Sequence, residues 1–139
     1  MSVAGNWYNE LGSMMSLHVD GLSITGTYQT GVGDAEGIYQ LTGSVDINGD
    51  PSGRGQAIGW VVVWVNLYGN SHSVTTWSGQ YQIIDGVDEI ETLWLLTSET
   101  PSSSDWASTL VNKDTFTRTA PSKEMIAKAK RKRMPAHPV

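Results

Sequence analysis

Across 139 residues there is no cysteine, so neither disulfides nor thiolate metal sites can hold this chain together. Its stability must come from a hydrophobic core, and its length suits a single domain with room for one. No run approaches the ~20 apolar residues that a membrane-spanning helix requires, so no membrane association is expected. The first residues, MSVAGNWYNE, have neither the basic nor the apolar stretch of a secretory leader. As written, the chain predicts no signal peptide; an intracellular protein and a mature secreted form both remain open.

Basic residues are scarce through residue 122, where Arg54, Lys113 and Arg118 face thirteen acids, a balance of −10. Residues 123–139 reverse the sign, with six basic residues against Glu124, a balance of +5. The globular part should repel nucleic acid, whereas the tail is free to touch anionic surfaces. Three histidines, His18, His72 and His137, show no metal-ligand spacing. DINGDPSGRGQA (46–57) weakly resembles a calcium loop, but Pro51 stands where the turn glycine belongs and Ala57 where the glutamate belongs. His72 precedes Ser73, yet on a strand they point to opposite faces, and no G-x-S-x-G turn exists. No metal, cofactor or catalytic residue is expected.

What the chain does have is turn signals at short intervals: Asp20-Gly21, NGDPSG (48–53), YGN (68–70), Asp85-Gly86 and ETPSSSD (99–105). Between them lie runs rich in Val, Ile, Thr, Tyr and Trp. These predict eight strands, at 5–11, 13–19, 22–30, 37–45, 54–66, 71–82, 89–98 and 109–118. Such spacing indicates an all-β antiparallel sandwich or barrel, and eight strands can close around one small ligand. After Pro121 the composition changes. Residues 1–4 read as an extension, 5–120 as the β domain and 121–139 as a basic tail. Ser122 is a helix cap for that tail, but about three turns alone are marginal in water, so it is expected to be disordered or a short helix.

The aromatic balance is unusual: six tryptophans and one phenylalanine, when a core built for packing favours residues without polar atoms. Strand side chains alternate between faces. Alternation groups Trp60, Val62 and Trp64 on one face, with Val61, Val63 and Val65 opposite; both faces are apolar, which predicts cover on both sides or a subunit contact. It also groups Ser73, Thr75 and Trp77; Trp94, Leu96 and Ser98; Trp7, Asn9, Leu11 and Ser13; Gly26, Tyr28 and Thr30; and Leu110, Asn112, Asp114 and Phe116. Tryptophans and small polar groups thus share faces repeatedly. Taken singly, each tryptophan is an ordinary core residue and each hydroxyl an ordinary strand residue. Turned inward together, they predict a cavity whose polar atoms a compact ligand completes, since an unsatisfied buried polar group costs ~1–3 kcal/mol.

The blocks GNWYNELGS (5–13), ITGTYQTGVGDAE (24–36), GWVVVWVNLYGNSHSVTTWSGQY (59–81), WLLTS (94–98) and WASTLVNKDTFT (106–117) resemble, in order, the avidin–streptavidin family of biotin-binding proteins. The resemblance covers about residues 5 to 120, and the tail TAPSKEMIAKA is similar to the fungal tamavidin branch. It implies an eight-stranded antiparallel up-and-down barrel that assembles as a homotetramer and binds biotin without chemistry. Asn9, Ser13 and Tyr28 match three donors to the ureido oxygen, an arrangement akin to an oxyanion hole. Asp114 and Thr30 match acceptors of the two ureido N–H groups, and Thr75 matches the hydroxyl near the thioether sulfur. Trp64, Trp77 and Trp94 match an aromatic box, with Leu11 and Leu96 as apolar neighbours. Trp106 matches a residue that caps a neighbouring subunit's site. Ser73 and the backbone of Asp34 match groups that meet the valerate carboxylate. The loop TGVGDAEG (30–37) matches a segment that closes over ligand, bringing Val32 and Gly33 against it. Ser71 and Ser98 complete the expected pocket rim.

Departures gather at the carboxylate end: Asp34 where the family often has Asn, and Gly69 and Ser71 where bacterial relatives carry larger or apolar residues. The resemblance further implies a role in withholding biotin from competitors. One alternative is a lipocalin-like carrier of another small apolar ligand, which would need fewer polar groups on the tryptophan face. A carbohydrate hydrolase would need a pair of inward carboxylates, and alternation supplies only Asp114.

Overall fold

A computed structural model describes residues 2–31, 37–65 and 72–132. Eight strands run in chain order: β1 (Gly5–Asn9), β2 (Met14–Asp20), β3 (Ser23–Gln29), β4 (Tyr39–Val45), β5 (Gln56–Val63), β6 (Ser73–Ile84), β7 (Val87–Ser98) and β8 (Thr109–Thr117). Each pairs antiparallel with the next, and β8 returns to β1, so the sheet is a closed barrel with up-and-down topology. Among the described residues a 3-10 segment, Ser102–Ala107, joins β7 to β8, and one helix, α1 (Lys123–Lys132), follows the barrel. The expectation of an eight-stranded antiparallel barrel holds.

The longest hairpin, β6–β7, shows why strand ends were misjudged. Asp85 and Gly86 both have positive φ, 52° and 79°, the geometry of a two-residue hairpin turn whose twist suits the flanking strands. Pairing therefore continues to Ile84↔Val87, two residues beyond the expected start of β7. At the other extreme β1 stops at Asn9, because the chain turns there: Gly12 N–H donates to the Asn9 carbonyl (3.1 Å). The short β1 makes a short seam, with pairs only at Tyr8↔Thr117 and Asn9↔Phe116. Above it the Glu10 carboxylate accepts the Thr115 backbone N–H at 3.3 Å. Leu110 and Asn112, expected on the inner face, stay exposed, since no β1 residue lies beside them.

Inward residues alternate along the strands as period two requires. Ile58, Trp60 and Val62 of β5, Thr75, Trp77 and Tyr81 of β6, and Ile90, Thr92, Trp94 and Leu96 of β7 are all buried. Trp60, Trp77 and Trp94 are register partners across three strands, so their indoles form a row. Gly43 lies opposite Trp60, where an added Cβ would collide with the Gly59 carbonyl oxygen and sit 2.7 Å from the Trp60 Cβ; only glycine admits so close an approach of the two strands. On β5 the outer face is less covered than expected within one chain: Val61 is half-buried, but Val63 and Val65 are 51% and 71% exposed.

One end of the barrel is closed by its own termini. The Arg118 guanidinium lies 3.8 Å from the centre of the Trp7 ring, a cation–π contact. It donates to the carbonyls of Ser2 (2.8 Å), Ala4 (2.9 Å) and Asn6 (3.3 Å), and pairs with Asp88 at 3.3 Å. The Trp7 indole N–H donates to the Val3 carbonyl at 2.8 Å, and Tyr81 donates to Asp88 at 3.3 Å. Burial, chiefly, and then the Asp88 charge raise the Tyr81 phenol above its usual 10.0.

Candidate functional site

The β1–β2 turn fixes the polarity of its side chains. Asn9 Oδ1 accepts two backbone N–H bonds, from Leu11 (3.0 Å) and Ser13 (2.9 Å). With the amide oxygen so occupied, Nδ2 is the part turned toward the interior, where it lies 3.5 Å from the Tyr28 hydroxyl. Ser13 Oγ accepts the Gly31 N–H at 2.9 Å, which directs its own O–H elsewhere. Asn9 and Ser13 are both buried; two backbone amides occupy the Asn9 amide oxygen and leave its NH2 as the donor, while the Gly31 N–H occupies one lone pair of Ser13 Oγ and leaves its O–H free to donate.

The neighbouring strand β8 carries the complementary group. Asp114 on β8 is only 1% exposed and accepts the Trp77 indole N–H at Oδ2, 3.0 Å away. The Thr92 hydroxyl donates to the Asp114 backbone carbonyl at 3.0 Å, anchoring the strand at that point. A carboxylate this deep is costly to desolvate and needs good hydrogen-bond partners. Tyr28 on β3 packs into the same aromatic interior, its ring centre 5.0 Å from Trp77, 5.7 Å from Trp64 and 6.5 Å from Phe116. Trp64 donates its indole N–H to Thr75 Oγ1 at 2.8 Å, which leaves the Thr75 hydroxyl as a donor.

Asn9, Ser13, Tyr28, Trp64, Thr75, Trp77, Trp94, Leu96 and Asp114 are thus buried, and so is Leu11 in the β1–β2 turn, though it does not join the main core cluster. Thr30 and Ser73 are half-buried. Ser98 is exposed at the end of β7, opposite Ser73 in register. Trp106, in the 3-10 segment, is 86% exposed and takes no part in the interior of its own chain. Val32, Gly33, Asp34, Gly69 and Ser71 lie outside the described residues. His72 is exposed. No group of three His, Asp or Glu side chains that could hold a metal occurs among the described residues.

Several interior residues escaped the reading of candidate site groups. Tyr39 packs edge-on against Trp64 with ring centres 4.9 Å apart, and its hydroxyl is buried with no hydrogen-bond partner among the described residues. Its alternation with buried Leu41 in IYQLTG was the available signal. Trp60 stacks on Trp77 at 5.5 Å and 20°, and Phe116 meets both Tyr28 and Trp60 edge-on. They form a second aromatic layer behind the candidate wall.

The family model described as the Avidin family matches residues 1–119. Avidin-related protein 4/5 of Gallus gallus is 35% identical over 121 residues, covering 84% of this chain and 77% of that protein.

Proposed function

Because this chain belongs to the avidin family, we propose that it binds biotin, non-covalently and without chemistry, inside the barrel. The observation that carries this reading is the pairing, in one buried interior, of fixed donors with a buried carboxylate acceptor. Donors fixed by backbone amides at Asn9 and Ser13 share a buried, tryptophan-rich interior with the Asp114 carboxylate of the neighbouring strand β8. A cyclic urea has the matching pattern, an acceptor oxygen on one side and N–H donors on the other. Asn9, Ser13 and Tyr28 receive the ureido oxygen; Asp114 and Thr30 accept its two N–H groups. Trp64, Trp77 and Trp94, with Leu11 and Leu96, enclose the bicyclic ring, and Thr75 meets the sulfur. Val32, Gly33, Asp34, Ser71, Ser73 and Ser98 serve the acyl chain and carboxylate. Preorganised donors of this kind give affinity because little order is lost on binding.

The working form is a homotetramer in which Trp106 covers a neighbour's site, a reading favoured by the exposed aliphatic outer face of Val63, Leu93, Leu95 and Val111. The similarity of the tail TAPSKEMIAKA to the fungal tamavidin branch supports assignment to that branch, and withholding biotin from competitors is the role that fits a binder without chemistry. Titration with biotin, followed by tryptophan fluorescence and melting temperature, tests the reading. Quenching or shift to saturation near one ligand per chain, with a large rise in melting temperature, is the expected result. No response to stoichiometric biotin, or a response only to retinoid or fatty acid, would refute it in favour of an apolar-ligand carrier.

A further inference from the structure

We propose that helix α1 is a positioning strap for the donor turn, with Ile126 acting through Gly12 to hold Asn9 and Ser13 in place. This rests on the biotin-binding reading and assigns part of its geometry to a segment beyond residue 119, where the family match ends.

The turn between β1 and β2 is tightly determined from within. Asn9 N–H donates to the Ser13 carbonyl at 3.0 Å and Gly12 N–H to the Asn9 carbonyl at 3.1 Å. Gly12 has φ +83°, a left-handed conformation natural to glycine. On one side the turn rests against Gly31, where an added Cβ would stand 2.6 Å from the Leu11 carbonyl oxygen and 3.0 Å from the Ser13 nitrogen. On another it meets α1: a Cβ on Gly12 would come within 2.9 Å of Ile126 Cδ1. The missing side chain of Gly12 is the notch that the Ile126 side chain fills.

The helix is built to make that one contact. Ser122 caps it, its Oγ accepting the Met125 N–H at 3.2 Å and its carbonyl the Ile126 N–H at 3.0 Å. Within α1 only Ile126 and Ala129 are half-buried, one turn apart on the same edge, while the remaining side chains are exposed. A lone helix of this length is marginal, so its contact with the turn and its cap hold it in place. In return, Ile126 closes the outer side of a turn that Gly31 supports from elsewhere. Without it, the turn can relax outward and carry the Asn9 amide and the Ser13 hydroxyl away from the ureido oxygen.

The test compares the full chain with Ile126→Ala, with Ile126→Leu, and with a chain ending at Pro121. Release of biotin is measured by competition, alongside release of 2-iminobiotin, in which an imine nitrogen replaces the ureido oxygen that the donors engage. Ile126→Ala and the shortened chain should release biotin about tenfold faster, the low end of what losing supporting partners costs at metal sites, with 2-iminobiotin much less affected and Ile126→Leu near the parent. The unliganded proteins should melt at similar temperatures. Unchanged biotin release, or equal acceleration for both ligands, overturns the strap, the second pointing to general loosening. A parent protein that binds no biotin at all overturns the underlying reading instead, and the strap with it.

Discussion

Trp77 donates its indole N–H to one carboxylate oxygen of Asp114 across 3.0 Å, and both residues are buried. The contact joins β6 to β8 from inside the barrel, bypassing β7, which lies between them in the sheet. It also orients the carboxylate: with Oδ2 given to the indole, the acid is fixed in rotation. A tryptophan proposed to enclose the ligand and a carboxylate proposed to recognise it are thereby parts of one unit.

Asp114→Asn should preserve the barrel while cutting biotin affinity by about ten- to a hundredfold, the scale of losing a hydrogen bond to a charged group. The asparagine carbonyl can still accept from Trp77. Its NH2 then faces the ligand N–H, donor against donor. Calorimetric titration of the variant, with its unliganded melting temperature as a control, checks this.

Thr75→Val tests the second indole contact in the absence of ligand. Valine fills the same volume but leaves the Trp64 N–H without its 2.8 Å acceptor inside a sealed core. The loss should be ~1–3 kcal/mol, a melting temperature lower by a few degrees for a domain of this size. Thr75→Ser should recover most of it, because the oxygen returns.

The strand order and the inward tryptophans were legible because alternation is a local rule. Trp60, Val62 and Trp64 occupy alternate positions, and the fold buries all three. The boundaries were less legible where a turn sets them, as at Asp85-Gly86 and at Asn9. What could not be read was contact between residues distant in sequence. Arg118 binds carbonyls 112 to 116 residues away, and nothing in its neighbours marks it as more than one of the few cations in the barrel. The direction of the Asn9 amide follows from two backbone N–H groups in its own turn, a geometry that alternation does not encode. The docking of Ile126 needs a glycine at position 12 in a left-handed conformation, which a sequence pattern alone leaves open.

Arg118→Ala should destabilise the unliganded protein by ~1–3 kcal/mol, the range for a broken partly buried network, discounted because the side chain is 33% exposed. The variant loses the Trp7 stack, three carbonyl bonds and the Asp88 pair together. Arg118→Lys keeps the charge but not the fork that reaches several carbonyls at once, so denaturant melts should place it between alanine and the parent. A parent-like lysine variant would mean that charge alone suffices.

Glu89 and Glu91 lie two residues apart on the outer face of β7. Burial first, and then the hydrogen bond and charge of Glu91, raise the Glu89 carboxyl above its ordinary 4.5. The folded state therefore holds this proton more tightly than the unfolded chain. Its stabilising contribution is complete below 4.5 and is lost as pH rises through the raised folded value. Glu89→Gln should melt higher than the parent at about pH 7 and show little difference at about pH 3.5. Parallel melting curves across that range would contradict the assignment.

Trp106 presents 86% of its surface to solvent in one chain, a large apolar side chain on a 3-10 segment with no buried residues of its own. Isolated, such a residue contributes little to folding, so Trp106→Ala should leave the unliganded melting temperature nearly unchanged. If it covers a neighbour's site, the substitution speeds biotin release in the assembled protein. The assembly itself is checked by light scattering at micromolar concentration, where a mass of four chains is expected. Placing charge on the outer face, as in Leu95→Lys, should shift that mass toward smaller species, and in the dissociated protein the Trp106 substitution should no longer alter release. Equal acceleration in assembled and dissociated forms would place the action of Trp106 within its own chain.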